Sequence, residues 1–377
     1  MLTYFVSTKR SWSRRALLLA SMGAGCARRK WRGFPGYALV ANAASRTIAA
    51  VDLNRFVLAR QIGMEAAPSA VLRNPLRPAA YVLIPETGTV CEIDAQKLAV
   101  ARRTRLGGPA LSMLLAGDGK SLWVLQPRAL VRLEGGRLRV IETIRLPAAA
   151  GTFDLTTDGR AAISFPAERR LVLLHLDSGI LDHNIDAGCQ PSLIRFQSDG
   201  RQVMAASRTD RSLTIFDAAT GRTAVRLPLP IEPANACFDA AGGQMFVTGP
   251  GMDAVVIVYP YQTEIGETIL AGRAPDGMAV SGTPPYLFVA NPDTGSITVL
   301  DIETRKLVAS VPVGQEPRRI LITPDNHYAL VLNQRSGNMA VIRIAAFTAR
   351  RHRTDPPPLF TMVALGEQPV SGAVVEV

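Results

Sequence analysis

The stretch YLFVANPDTGSITVLDIETRKLVASVPVGQEPRRILITPDNHYALVLN, residues 286–333, determines the fold. It contains three apolar runs, YLFVAN, SITVLDI and LVASVPVG, and then a fourth run, RRILITPD, that follows Pro317. Each run is short, rich in Val, Ile and Leu, and bounded by Asp, Asn, Gly or Pro. This composition is typical of β-strands joined by tight turns. The stretch therefore predicts a unit of four antiparallel strands.

The unit recurs along the chain. Its apolar first run appears eight times, from YALVAN at 37–42 to YALVLN at 328–333. A proline precedes the fourth run in most units, at intervals of 41, 82, 42, 42, 42 and 52 residues: Pro68, Pro109, Pro191, Pro233, Pro275, Pro317 and Pro369. A period of 40–45 residues indicates repeated four-stranded sheets that bury their faces against one another. We predict an all-β propeller of eight four-stranded blades, with seven blades as the alternative.

Two quoted stretches, residues 286–333 and YALVANAASRTIAAVDL at 37–53, resemble the YVTN-repeat propellers, a YncE-like family distantly related to lactonase-like propellers. The resemblance implies that the fourth run is the innermost strand of its blade and lines the channel. The chain then begins with three outer strands and ends with an unpartnered inner strand, 370–377. Pairing these two ends would close the ring and leave no exposed edge. A single propeller is expected over 37–377, with an exposed, proline-rich and basic insertion at 345–360.

Ligands of such propellers usually meet the mouth of the channel, which is formed by the loops beside the periodic prolines and the loops after the first runs. These loops carry arginine, carboxylate and amide groups, and arginine can grip a carboxylate or phosphate with two hydrogen bonds. The candidate ligand-binding residues at the mouth are Glu86, Gln190, Arg273, Asp276, Glu316, Arg318, Arg319 and Asn333. The loops after the first runs also carry Asp293 and Arg335.

Signs of catalysis are scarce. No nucleophile, phosphate-binding or dinucleotide motif is present, the four cysteines form no CxxC pair, and no metal or other cofactor is predicted. None of the four histidines falls in a mouth loop, which argues against close kinship with the haem-binding propeller of dissimilatory nitrite reductase. The leading hypothesis is a non-catalytic binding protein or scaffold, monomeric, that holds a protein or a small anionic ligand at its rim. The alternatives are a lactonase-like hydrolase and a haem- or quinone-associated redox accessory.

The N-terminus reads as an export signal over residues 1–26, followed by a basic linker at 27–36. Arg14 and Arg15 precede a short apolar run, as in twin-arginine signals, and Cys26 follows small residues in a sequence that resembles a lipobox. The expected location is the periplasm or cell envelope, with a lipid on Cys26 as the only membrane attachment.

The net charge of +11 has a local origin. Residues 1–32 contain eight basic and no acidic side chains, so the remainder carries 34 basic and 31 acidic residues. Because basic and acidic residues nearly balance outside residues 1–32, the charge of this part of the chain gives no reason to expect that it binds nucleic acid.

Overall fold

The computed structural model describes residues 33–347 and 356–377. Within them lie 32 β-strands and two short 3-10 helices, η1 (Pro166–Glu168) and η2 (Ile344–Phe347). No helix in this part of the chain is long and apolar enough to cross a membrane. The strands are β1 Gly36–Asn42, β2 Thr47–Asp52, β3 Val57–Gly63, β4 Ala70–Arg73, β5 Ala79–Ile84, β6 Thr89–Asp94, β7 Ala99–Arg105, β8 Ser112–Leu115, β9 Ser121–Gln126, β10 Ala129–Glu134, β11 Arg139–Arg145, β12 Phe153–Leu155, β13 Arg160–Phe165, β14 Arg170–His175, β15 Leu181–Asp186, β16 Leu193–Phe196, β17 Gln202–Ser207, β18 Ser212–Asp217, β19 Thr223–Pro228, β20 Asn235–Phe238, β21 Met245–Thr248, β22 Ala254–Tyr259, β23 Glu264–Leu270, β24 Met278–Val280, β25 Tyr286–Asn291, β26 Ser296–Asp301, β27 Leu307–Pro312, β28 Pro317–Ile322, β29 Tyr328–Asn333, β30 Asn338–Arg343, β31 Leu359–Ala364 and β32 Pro369–Glu376.

These strands form eight four-stranded antiparallel sheets, which are the blades of a β-propeller. Blade 1 has the order β32-β1-β2-β3 from the channel outward, and blades 2 to 8 take four consecutive strands each, from β4–β7 to β28–β31. The prediction of eight blades is confirmed.

Ring closure also follows the prediction. The last strand, β32, pairs antiparallel with β1, so that Gly36 lies opposite Glu376 and Tyr37 opposite Val375. The propeller begins slightly before residue 37, because Phe34 is buried in the core between blades 8 and 1. The ends of the fold are thereby joined within one sheet.

Burial explains why each strand takes its place in the blade. The two middle strands are nearly continuous apolar runs because both of their faces pack against neighbouring blades, and every residue of β5 is buried. Outer strands are mainly exposed, as in β7 with its three arginines. The hydrophobic clusters therefore lie between blades; one joins the middle strands of blades 8 and 1, for example.

The Asp-Gly turns between inner strands and their neighbours are longer than the expected two-residue hairpins. In blade 3 the pairing extends to Ala116 and Ser121, which leaves four residues in the turn. Asp118 accepts a hydrogen bond from the backbone N–H of Lys120, and Gly119 adopts φ +67°. The left-handed residue is supplied by glycine as expected, but the aspartate side chain stabilises a wider turn.

The insertion at 345–360 was expected to be exposed, but its two described ends are partly buried. Phe347 is buried against Tyr286 and Phe288 of blade 7, and the Tyr286 hydroxyl donates to the Phe347 carbonyl at 3.1 Å. On the other side, Phe360 contacts Phe56 of blade 1 edge to face. Both ends of the insertion thus pack against neighbouring blades.

Candidate functional site

A polar cavity of about 740 Å³ opens at the channel mouth between blades 7 and 8. Its walls are the loop that enters blade 7, the loops that follow β25 and β29, and the start of β28. The lining residues are Arg273, Pro292, Asp293, Thr294, Gly295, Gln315, Glu316, Arg318 and Arg335. Three of the eight candidate residues, Arg273, Glu316 and Arg318, therefore share one cavity, together with Asp293 and Arg335 from the second set of loops.

Arg318 is the structural centre of this cavity. Its Nη1 lies 2.6 Å from Asp276 Oδ2, and its Nε and Nη2 lie 2.9 and 2.8 Å from Glu316 Oε1. Burial lowers the pKa of Arg318, but the hydrogen bonds to Glu316 and Asp276 outweigh burial and raise it above the usual value. Arg318 therefore stays charged, and it joins the loop that enters blade 7 to β28, the inner strand of blade 8.

Asp276 is held in place from the neighbouring blade 6. Asn235 Nδ2 donates to Asp276 Oδ1 at 2.5 Å, and the Thr248 hydroxyl donates to the Asp276 backbone carbonyl at 2.6 Å. These bonds fix the carboxylate that in turn orients Arg318. Asp276 thus acts as a positioning residue behind the cavity wall.

The other two arginines of the cavity are free. The guanidinium groups of Arg273 and Arg335 make no hydrogen bond or ion pair within residues 33–347 and 356–377, and both side chains are available to solvent. Two unpaired guanidinium groups in one concave polar site favour an anionic ligand, especially a carboxylate or phosphate. The cavity volume lies within the range of small-molecule sites.

Arg319 points to the channel rather than to this cavity. It pairs with Leu332, one residue below the mouth end of β29, and it forms no ion pair among the described residues. Arg195 of the inner strand β16 lies deeper, opposite Met204. Burial lowers the pKa of Arg319, and the positive charge of Arg195 lowers it further. The positive charges of Arg319, on the inner strand of blade 8, and Arg195, on that of blade 5, therefore repel each other.

A carboxylate accompanies these arginines in the channel. Asp154 of β12 accepts a hydrogen bond at 2.7 Å from the backbone N–H of Phe196, which links the inner strands of blades 4 and 5. Burial raises the pKa of Asp154, and the nearby charge of Arg195 opposes that effect.

Asn333 is not a mouth residue. It is fully buried, its Nδ2 donates to Asn338 Oδ1 at 2.7 Å, and its amide packs against Gly314 in the loop that enters blade 8. Asn42 and Asn291 occupy the same position in blades 1 and 7 and pack against Gly366 and Gly272. This position seals a blade to the preceding loop, because the small glycine leaves room only for the amide.

The remaining candidates lie apart from the cavity or outside the described residues. Glu86 is exposed in blade 2, and Gln190 is exposed in the loop that enters blade 5, where its backbone N–H donates to Asp210 at 3.3 Å. Cys26, Arg14 and Arg15 fall outside the described residues. Cys189, in the loop that enters blade 5, is fully buried.

Metal and histidine chemistry find no support at the mouth. In the described part of the chain no group of three or more His, Cys, Asp or Glu side chains could hold a metal ion. Of the histidines described, His175 and His327 lie at the opposite end of the blades, paired with Asp182 and Asp325. His183 lies in an outer edge strand.

The comparisons with known proteins agree with this fold. Residues 252–356, which include all nine residues that line the cavity, match the family model described as "Lactonase, 7-bladed beta-propeller". The expected resemblance to lactonase-like propellers is confirmed over these residues. The chain itself folds into an eight-bladed propeller.

One curated relative and two solved structures extend the comparison over most of the chain. Protein NirF of Stutzerimonas stutzeri is 22% identical over 336 residues, covering 79% of this chain and 84% of the relative. The solved structure of the dihydro-heme d1 dehydrogenase NirN in complex with DHE is similar with a TM-score of 0.73 at 15% identity, covering 90% of this chain and 77% of NirN. The hydrazine synthase of Kuenenia stuttgartiensis is similar over 74% of this chain and 96% of its own, with a TM-score of 0.59 at 17% identity.

Sequence reasoning missed three features of the mouth. Gln315 and Thr294 line the cavity, but their neutral side chains gave no signal in the sequence. Arg195 lies within an apolar strand pattern that is typical of the core. The signal that could have found Arg195 is the alternation of Leu193–Phe196, which places an arginine on an inner strand.

Proposed function

We propose that this protein is an exported propeller that binds, without turnover, a small ligand bearing several carboxylates, of the tetrapyrrole class, at the mouth between blades 7 and 8. The observation that carries the proposal is the pair of unpaired guanidinium groups, Arg273 and Arg335, on opposite walls of a polar cavity whose centre is already occupied by the Arg318 network. The similarity to NirN, solved in complex with DHE, supports the ligand class.

The lining fits the carboxylates of such a ligand and does not fit its iron. None of the nine lining residues is a His, Cys, Met or Tyr, so the cavity wall offers no axial ligand of the usual kinds. Arg273 and Arg335 would each receive a carboxylate, with Thr294 and Gln315 as neutral hydrogen-bonding groups beside them. No redox step is assigned to the protein itself.

The experiment titrates the protein with coproporphyrin, which has four carboxylates, and with its tetramethyl ester, and follows porphyrin absorption and fluorescence. We expect the free acid to bind and the ester to bind poorly. Because charge-assisted hydrogen bonds are worth about 1.5–3 kcal/mol each, Arg273→Ala combined with Arg335→Ala should weaken binding at least about tenfold.

The matched control is Arg128→Ala. Arg128 is an exposed arginine without a side-chain partner in the corresponding loop of blade 3, far from the cavity around the ring. Its replacement should leave the affinity within about twofold. Equal binding of acid and ester, or an equal loss in the Arg128 variant, would contradict the proposal.

A lactonase-like hydrolase is the second candidate, because the family match at 252–356 spans the cavity loops. Asp293 and Glu316 line the cavity and Asp276 lies behind its wall; Arg318 engages Glu316 and Asp276. Of the charged mouth candidates that a hydrolase could use, Arg318 lines the cavity, whereas Glu86, Asp276 and Arg319 do not. Turnover of a lactone panel that disappears with Glu316→Gln would establish this function and remove the non-catalytic one.

Export is the second part of the proposal. Arg14→Lys with Arg15→Lys should trap the precursor in the cytoplasm, because twin-arginine signals depend on both guanidinium groups. Cys26→Ser should release the protein from the membrane fraction if a lipid on that thiol is the anchor. Normal secretion of the first variant, or unchanged fractionation of the second, would contradict the corresponding step.

A further inference from the structure

A second cavity, of about 310 Å³, lies on another side of the ring, in the outer part of the seam between blades 3 and 4. Its lining differs in kind from that of the mouth cavity. Six apolar side chains form the floor and walls: Ile144, Leu146, Phe165, Val172, Leu174 and Leu181.

The floor is well built and the entrance is uncovered. Phe165, Val172 and Leu174 are buried and belong to one core cluster with Leu146, so the floor is fixed by packing. At the entrance, Leu181 is 54% exposed and the adjoining Ile180 is 62% exposed. Exposed apolar side chains beside an apolar hollow create a site that gains free energy when an apolar group fills it.

The opening has a local cause in blade 4. Gly179 adopts φ +63° in the turn between β14 and β15, and a Cβ at this position would lie 3.8 Å from Ile144 Cδ1. The pairing of these strands also shifts register between Leu173 and Leu174. The outer strand pair of every blade has such a shift, so the feature particular to this seam is the missing side chain at Gly179, which leaves space beside Ile144.

The rim of the cavity is positively charged. Arg145, the last residue of β11, makes no side-chain hydrogen bond or ion pair among the described residues. Arg170 stands across the opening at 3.9 Å from Glu168, an exposed and weak pairing. Two guanidinium groups against one carboxylate favour a ligand whose head carries a single negative charge.

We propose that this seam binds a medium-chain monocarboxylate, with its aliphatic chain over Phe165, Val172 and Leu174 and its carboxylate on Arg145. A water-sized atom occupies about 30 Å³. The cavity of about 310 Å³ therefore holds roughly ten non-hydrogen atoms, which is the number in octanoate. The site is independent of the proposed mouth ligand, since the two cavities share no residue.

Calorimetric titration with octanoate, octanol and octyltrimethylammonium tests the proposal. Octanoate should bind the most tightly of the three. Arg145→Gln should weaken octanoate about tenfold and leave octanol unchanged, because only the head group meets Arg145. Leu181→Asp should abolish binding of both, since it places a charge at the apolar entrance.

Two variants serve as controls. Val140→Asp adds the same charge on the neighbouring edge strand outside the cavity, at a residue that is 49% exposed, and should leave octanoate binding within twofold. The mouth variant with Arg273→Ala and Arg335→Ala should bind octanoate normally. Failure of octanoate to bind, equal affinity for the cationic amphiphile, or binding that survives Leu181→Asp would overturn the assignment.

Discussion

The seams around blades 7, 8 and 1 and the seams around blades 2, 3 and 4 are built from different contacts. In the first group, a buried asparagine ends the first middle strand and packs on a loop glycine, as Asn333 does on Gly314. In blades 3 and 4 this position holds Gln126 and Phe165. Gln126 Nε2 reaches the Gly108 carbonyl at 3.2 Å, and Phe165 turns into the apolar core.

The difference shows that one blade geometry is compatible with two ways of joining neighbours. The asparagine seals are short and repeat regularly, and the polar mouth cavity lies beside them. The other seams rely on individual solutions. One is the ionic network around the buried Glu92 of blade 2, which reaches blade 3 through Arg77, and another is the apolar opening between blades 3 and 4. Substitutions in the two groups of seams should therefore change the stability of the protein by different amounts and for different physical reasons.

The largest effect is expected at Glu92, whose side chain is 2% exposed between Arg77 at 2.8 Å and Arg102 at 2.9 Å. Arg77 also donates to the Gly135 carbonyl of blade 3. Glu92→Ala should lower the free energy of unfolding by about 3 kcal/mol, as removal of one partner from a buried ion pair does. Urea denaturation measures this.

The control for Glu92 is Glu134→Ala. Glu134 pairs with Arg137 at 3.4 Å on the surface, and its loss should change the free energy of unfolding by less than about 0.5 kcal/mol. Similar effects of the two variants would show that the seam between blades 2 and 3 does not depend on this network.

A smaller effect is expected in the regular seams. A Cβ on Gly314 would lie 2.6 Å from Asn333 Nδ2 and 2.9 Å from Ser336 Oγ, so Gly314→Ala should cost about 2 kcal/mol through overpacking. Adding Asn333→Ala should recover part of that loss, because the clash disappears. Gly136→Ala, where no atom lies within 4 Å, is the control and should be nearly neutral. A full, additive loss in the double variant would argue against the seal.

The smallest effect concerns Asp154 in the channel. Since burial raises its pKa in the folded state, its ionised form opposes folding, and stability should increase as pH falls through the folded pKa. Asp154→Asn keeps an acceptor for the Phe196 N–H and should raise the Tm at pH 7 by about 1–2 °C, with no difference at acidic pH where Asp154 is protonated. A lower Tm at pH 7 would contradict this account.

The sequence was sufficient for the blade count, the ring closure and the loops that form the mouth, because strand period and turn residues are local signals. It was insufficient for the depth of individual side chains. Asn333 follows an apolar run just as Glu86 does, yet one is buried by a glycine of the preceding loop and the other is exposed. The opening between blades 3 and 4 depends on Gly179, whose missing side chain beside Ile144 a strand pattern does not reveal.

The antiparallel pairing of β1 with β32 has a consequence for how the molecule is made. The two strands are separated by more than 300 residues, so their contact is among the slowest to form on topological grounds. During synthesis, blade 1 waits with an unpaired edge until residue 376 has left the ribosome. The ring therefore closes only after the last strand of the propeller has been made, and the edge of β1 stays unpaired until then.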